Sequence, residues 1–418
     1  MIIYEKFCIS KTSLTKKKKD EKIELEYAAE KEMIFTVEIE KFAERMEYML
    51  QELIKMRREL HQIPGAGLQE YKTAQYIRKK LDDWGVKYEN WLETAVVAIF
   101  GEEGERETIA FRADIDGLPV TETPKEYASL HHGWMHACGH DGHMAILLGF
   151  AKYLSEHPAC FADRRIILIF QPAEEGPGGA RLLIEAGLLE RFCVKKIIGC
   201  HIFPQVPQGK IACRKGAMMA RNGEVDLIIR GRSSHGAQPQ LGSDAVLAAG
   251  AVITAIHTIL SRNVSPLESG VLSFGTIHGG EACNIIAGEV RLEGTMRAFS
   301  DDAYAAMERR VHEVVQSVAA GYGCAGEAVF RHMYRVVDND PSLVKALEEV
   351  CGSCYEETQP YMLAEDFSLY QTEIPGVFFF LGSGRDGENA PLHSAAFDFD
   401  EEILVTGVET YIKLLEKI

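Results

Sequence analysis

The chain has 418 residues, 46% of them apolar and 26% charged, with a formal net charge of -17. That length exceeds one compact core and suits about two or three domains, while the acidic surplus excludes a nucleic-acid or anionic-membrane face, which needs clustered Lys and Arg. No apolar run approaches the roughly 20 residues of a bilayer span, the amino end lacks a secretory pattern, and ten cysteines scattered along the chain suit reduced thiols, so a cytosolic protein is expected.

Residues 1–35, with Lys16 through Lys19 and little periodicity, read as a poorly ordered extension. Apolar residues at helical spacing predict a helix over 37–61, stopped by Pro64 and Gly65, and a second over 70–84, closed by Gly85. Strands follow over 95–100, 108–111, 165–170 and 196–200, alternating with helices over 142–154 and 180–187. This alternation argues for a mostly parallel sheet with helices on both faces. Ligands of such sheets gather beyond the carboxyl ends of the strands, and here those ends carry Arg112-Ala113-Asp114, then Gln171 to Glu175, then His201.

From residue 217 the pattern changes to strand 223–231, helix 243–260, strands 270–278 and 289–299, helix 301–320 and strand 326–331. That is the ferredoxin-like order. The expectation is an α/β catalytic domain over 36–216 and 332–418, carrying an inserted α+β domain over 217–331. The returning part has helices over 342–351 and 365–370, a strand over 377–381, His393 in a loop and a closing helix from Glu401. Cys351 and Cys354 have redox-motif spacing, but they sit at a helix end far from any strand-turn-helix redox unit and are not read as a catalytic dithiol.

The densest chemistry lies at Met135-His136-Ala137-Cys138-Gly139-His140-Asp141-Gly142-His143. An apolar core would leave each of these imidazoles seeking a hydrogen bond, so the stretch reads as half of a metal site. One glycine separates Cys138 from His140, and in a turning backbone both side chains can face one point. The topology brings Glu175, His201 and His393 to the same sheet edge. Thiolate, imidazole and carboxylate together suit zinc, manganese, nickel or cobalt and not magnesium or calcium. Five protein ligands exceed the four that saturate one structural zinc, so two adjacent divalent ions sharing a ligand are expected. Glu174 is then free to take a proton from water between them.

Taken together, these residues resemble the M20 peptidase superfamily, in the branch of N-acyl-amino-acid amidohydrolases, hippurate hydrolases and N-acetyl-diaminopimelate deacetylases. The likeness runs from about Arg57 to the carboxyl end. It includes Arg58-Glu59-Leu60-His61, Phe111 to Pro119, Gln171 to Gly179, His201 to Pro204, Ser234-His235-Gly236-Ala237, Asn284-Ile285-Ile286, Gly294 to Arg297 and Ala364 to Phe367. The resemblance implies a zinc-peptidase α/β domain with an inserted ferredoxin-like lid through which two subunits dimerise. It implies Cys138, His140, Glu175, His201 and His393 as metal ligands and Glu174 as general base. It also implies that His235 reaches the neighbouring subunit's site to steady an oxyanion, and that Asn284 and Arg297 grasp a substrate carboxylate, although an ion pair within the lid is a competing reading for Arg297. Arg112 and Asp114 stand where other branches have a His-x-Asp metal motif, and Cys138 with His140 compensates. Gly65 to Leu68, Met144 and Leu363 depart from the usual motifs at positions that bear on specificity.

The implied reaction is hydrolysis of N-acyl amino acids, with a small-molecule substrate and a homodimer. A dipeptidase would need the same residues plus a place for an α-amine. A non-catalytic metal-containing receptor would have no need of Glu174 beside Glu175.

Overall fold

A computed structural model describes residues 47–104, 107–387 and 389–418. The extension read over 1–35 and the start of the helix read over 37–61 lie outside the described residues. In chain order the first part comprises α1 (47–61), α2 (Tyr71–Asp83), β1 (Lys87–Trp91), β2 (Ala95–Phe100), β3 (Thr108–Asp114), α3 (His140–Glu156), β4 (Arg165–Gln171), α4 (Gly179–Glu185), α5 (Leu188–Phe192), β5 (Val194–Pro207), β6 (Ile211–Cys213) and β7 (Gly216–Met219). Then come β8 (Arg221–Arg230), β9 (Ser234–His235), α6 (Ala245–Ile256), α7 (Thr258–Asn263), β10 (Gly270–Gly279), β11 (Ile285–Ile286), β12 (Glu289–Ala298), α8 (Asp301–Gly321) and β13 (Ala325–His332). The chain closes with β14 (Val337–Asn339), α9 (Pro341–Cys351), β15 (Tyr355–Glu357), α10 (Ser368–Gln371), β16 (Gly376–Gly384) and α11 (Ile403–Lys417).

β2, β3, β4 and β16 are buried along nearly their whole length, as strands covered on both faces must be. They belong to an eight-stranded sheet of order β1-β2-β4-β3-β5-β16-β6-β15. Its centre, β4-β3-β5-β16, is parallel, and β1, β2 and β6 join antiparallel. Asp114 pairs with Gln171 in the β3–β4 register, and Phe380 pairs with His201 between β16 and β5. The carboxyl edge of the central strands therefore carries a row of polar side chains. α3, α9 and α11 form one contacting group of helices and α4 with α10 another.

The second sheet, β10-β12-β8-β13, is antiparallel throughout. Its order is that of a ferredoxin-like βαββαβ unit, and α6 and α8 pack on it around Val225, Leu227, Val252, Leu292 and Val311. α8 starts at Ser300, whose hydroxyl accepts the Ala303 N–H, and buries Tyr304, Met307, Val311, Val315 and Ala319 at helical spacing.

Four expectations change. The helix read over 365–370 shrinks to α10, because the carboxylates of Glu365 and Asp366 turn inward to Arg112. β5 runs past residue 200, so His201 lies inside the strand. The helix read over 243–260 breaks at His257 into α6 and α7. Ala245–Asn263 does have the length and apolar content of a membrane span, against the reading that no run approaches it; Ala248, Val252, Ile256 and Ile259 of that stretch lie in the core of the second sheet.

Candidate metal centre

Gly139 takes the left-handed backbone (φ 85) and caps α3, so that Cys138 ends the loop and His140 opens the helix. A side chain at Gly142 would drive its Cβ to 2.4 Å from Ile202 and 2.7 Å from Phe399, which is why this turn of α3 lies so close to β5. The carbonyl of Asp116 accepts from Nδ1 of both His136 and His140, each at 3.0 Å. His140 thereby turns Nε2 toward the site, a buried atom with no hydrogen-bond partner among the described residues; burial acts against its charged form, but Asp114 and Asp116 outweigh it and push the pKa up to about 10, and a bound cation would take the place of that proton. His201 likewise donates from Nδ1 to the Ile202 carbonyl at 2.8 Å, and its Nε2 lies 3.4 Å from Cys138 Sγ. From the other side His393 Nε2 stands 3.3 Å from the same sulfur and 3.0 Å from Glu175 Oε1.

Cys138, His140 and His201 have donor atoms within 4.8 Å of one another, and so do Cys138, Glu175 and His393. The thiol is common to both groups, as a ligand shared by two ions would be. Three imidazole nitrogens, a thiol and a carboxylate oxygen converge on one small space, a set that a cation would satisfy together once the thiol and the rings give up their protons. The mixed sulfur, nitrogen and oxygen set fits a borderline metal. His143 is not part of it: its Nδ1 donates to Asp114 at 2.6 Å and its Nε2 accepts the Ile202 N–H at 2.8 Å, so neither nitrogen is free.

Behind the ligands, Arg112 is wholly buried among carboxylates. It pairs with Asp114 at 2.8 Å, Asp366 at 2.7 Å and Glu365 at 3.0 Å, and donates to Gln171 at 2.9 Å. The Glu174 loop is tied down at each residue: Ala173 (φ 58) gives its N–H to Glu70, the Glu174 carbonyl accepts the Tyr334 hydroxyl at 2.6 Å, and the Glu175 N–H meets Asp116 at 3.0 Å. Burial, then the charges of Glu365 and Glu175, push the Glu174 carboxyl well above the usual range. Burial also acts to raise Glu175, but the His393 hydrogen bond and the His140 charge outweigh it and hold that carboxyl down. Burial and the neighbouring Glu175 and Glu174 raise the Cys138 thiol. Such an anionic surplus is what a pair of dications would neutralise.

A cavity of about 90 Å³ opens beside the ligands. Its wall includes Cys138, Glu174, Glu175, His201 and His393, and on the far side Phe203, Met219, Leu363, Phe380 and Leu392. His140 lies just beneath. The structure thus brings all five expected ligands and Glu174 together. His235, on β9, and Asn284, in the turn that leads into β11, stay outside the cavity, and both are exposed. His235 Nδ1 accepts the Ala237 N–H at 3.1 Å, which leaves a donor N–H on Nε2. Arg297 is half-buried and gives Nη1 to the Met362 carbonyl at 2.7 Å, and no carboxylate among the described residues pairs with it. The ion pair within the lid is therefore not formed, and burial lowers the guanidinium's pKa with nothing to offset it.

Sequence reading missed the supports. Arg57 donates to Asp141 and Asp398, both at 2.7 Å, and to Glu401 at 3.2 Å. His61 lies between Asp141 and Glu122, at 2.8 Å from each. These contacts clamp α1 to the first turn of α3, where His140 begins. The signal available was the pair of charges, Arg57 and His61, on an otherwise apolar helix face.

The chain matches the model of peptidase family M20/M25/M40 over residues 110–417. It is 38% identical over 367 residues to the N-acetyldiaminopimelate deacetylase of Bacillus subtilis, covering 86% of this chain and 96% of the relative. With that of Listeria monocytogenes it shares 38% identity over 376 residues, 88% of this chain and 100% of the relative. The crystal structure of the Bacillus subtilis YXEP protein, a dinuclear metal binding peptidase from the M20 family, superposes with a TM-score of 0.78 at 32% identity, covering 88% of this chain and 98% of that one.

Proposed function

The chain belongs to peptidase family M20/M25/M40 and is a hydrolase of amide bonds, and from that membership we propose that it cleaves N-acyl amino acids into a carboxylate and a free amino acid. Glu174 carries this reading: a buried carboxyl on the cavity wall beside the ligand group, 4.0 Å from His140, with its pKa held high. Cys138, His140, Glu175, His201 and His393 would hold two divalent ions drawn from zinc, manganese, nickel and cobalt. When bound, such a pair supplies Lewis acidity toward the scissile carbonyl and a water of lowered pKa.

Glu174 accepts the proton of that water on its carboxylate and returns it to the leaving amine. Its place on the cavity wall, beside the ligand group, suits both halves of the task. Arg297, a half-buried cation with no carboxylate partner among the described residues, and Asn284 hold the substrate carboxylate. The Nε2–H of His235, offered by a neighbouring subunit, donates to the developing oxyanion, an interaction worth about 3 kcal/mol. A thiolate ligand also suits a reducing, cytosolic compartment, because oxidants would destroy it.

Assay of acetyl, succinyl and benzoyl amino acids and of dipeptides, with each of the four metals, tests the reading. Release of amino acid from acyl substrates is expected. Turnover confined to dipeptides would replace it with a dipeptidase.

A further inference from the structure

We propose that the cavity beside the ligand group is the acyl subsite and that Leu363 sets its size, confining the chain to short aliphatic acyl groups. The proposal rests on the N-acyl amino acid reading above and adds to it which half of the substrate enters and what limits it. Among the described residues no lysine or arginine lines the cavity, whereas Glu174, Glu175 and Glu365 do. Apart from the ions its ligands would hold, the cavity offers a carboxylate no cationic side chain, and its far wall is apolar. The uncharged acyl half therefore enters. The amino-acid half stays at the mouth, where Arg297 reaches the Met362 carbonyl one residue from Leu363.

The far wall is apolar and most of it is stiff. Phe203 and Phe380 are 2% and 1% exposed and stack with ring centroids 4.3 Å apart, and Tyr361 packs edge-on against Phe203 at 4.9 Å. Met219 is 3% exposed. Leu363 differs: the residue is 38% exposed while its carbonyl is held by the Ala220 N–H at 2.8 Å. It is a side chain at the rim on a fixed backbone. The volume of about 90 Å³ decides what fits, since an apolar cavity that admits benzene measures about 150 Å³. The ions its ligands would hold take part of that space, so acetyl and propionyl groups are expected to be favoured over a benzoyl ring.

The test is kcat/KM of the metal-loaded full chain for the N-acetyl, N-propionyl and N-benzoyl derivatives of one amino acid, for the parent and for Leu363→Ala and Leu363→Phe. The parent should disfavour benzoyl against acetyl by at least about tenfold, the scale on which apolar pockets discriminate by size. Leu363→Ala should raise the benzoyl-to-acetyl ratio by about tenfold, and Leu363→Phe should lower the propionyl-to-acetyl ratio. Because the two variants move selectivity in opposite directions, a general loss of folding cannot imitate the result. A parent that takes benzoyl as readily as acetyl, or ratios unmoved in both variants, overturns the proposal while leaving N-acyl hydrolysis standing. Cleavage of dipeptides alone overturns the reading on which it rests.

Discussion

Glu174 and Glu175 adjoin in the chain, and their surroundings drive their carboxyls in opposite directions. His393 at 3.0 Å and the charge of His140 hold Glu175 down, whereas burial and Glu365 push Glu174 up. Two carboxyls with pKa values pushed apart are the mark of two roles. Glu174→Gln should therefore keep the fold and the metal content and lose at least about a hundredfold in kcat, the usual cost of removing a general base; a variant within about threefold of the parent would sink the role. Cys138 belongs to both donor groups, so Cys138→Ser should retain much less metal after dialysis than Cys351→Ser, whose half-buried thiol lies at the end of α9. Equal retention by elemental analysis would count against a shared thiolate. These residues were legible because thiol, imidazole and carboxylate are rarely crowded into one stretch without a cation. Asp116 and Glu70 were not, since one acts mainly through its backbone carbonyl and the other by holding the N–H of Ala173, 103 positions away.

At the scale of the elements, long apolar runs were readable and very short strands were not. β2, β4, β16 and α8 carry their burial in their composition. β6, β7, β14 and β15 span only three or four residues, and partner strands rather than their own sequence make them extended. α10 shows the converse, a helical pattern overridden because Arg112 needs Glu365 and Asp366. The start of α9 offers a test of local control. Asp340 accepts the N–H groups of Ser342 and Leu343 at 2.9 and 3.0 Å, with Pro341 in the first turn. Asp340→Ala should cost about 1 kcal/mol, measured by urea unfolding at pH 7. Burial acts to raise this carboxyl, but the hydrogen bonds from Ser342 and Leu343 outweigh it and its pKa is lowered in the folded state. The folded form thus binds the proton less readily than the unfolded chain, so the cap's contribution is complete above about pH 4 and is lost as the pH falls through the folded pKa. The gap between parent and variant should narrow at pH 3, and a gap constant with pH would exclude a charged cap.

The whole molecule separates two tasks: the unit built on the eight-stranded sheet carries Cys138, His140, Glu174, Glu175, His201 and His393, and the unit built on the antiparallel sheet carries His235, Asn284 and Arg297. Strand and helix order made both sheets legible from the sequence, but periodicity holds no information on where an exposed imidazole is used. His235 is exposed, outside its own chain's cavity, with an N–H free to donate. Val246 and Leu247, 54% and 58% exposed, place an apolar face on α6 of the same unit, as a second copy would require. On the reading that His235 serves that second copy, neither Glu174→Gln nor His235→Ala is active alone, and the two defects lie in different contributions to each site. In a mixed dimer one site joins the intact Glu174 of the second variant to the intact His235 of the first, while the other site lacks both. Random exchange at equal mixing makes about half the dimers mixed, each with one competent site of two, so recovery should reach roughly a quarter of parent activity. The measurement is activity against time after mixing, with exchange followed separately by mass-tagged subunits. Exchange without recovery would mean that His235 acts within its own chain or takes no part in the reaction, and recovery well above a quarter would mean that the two variants were not fully inactive to begin with.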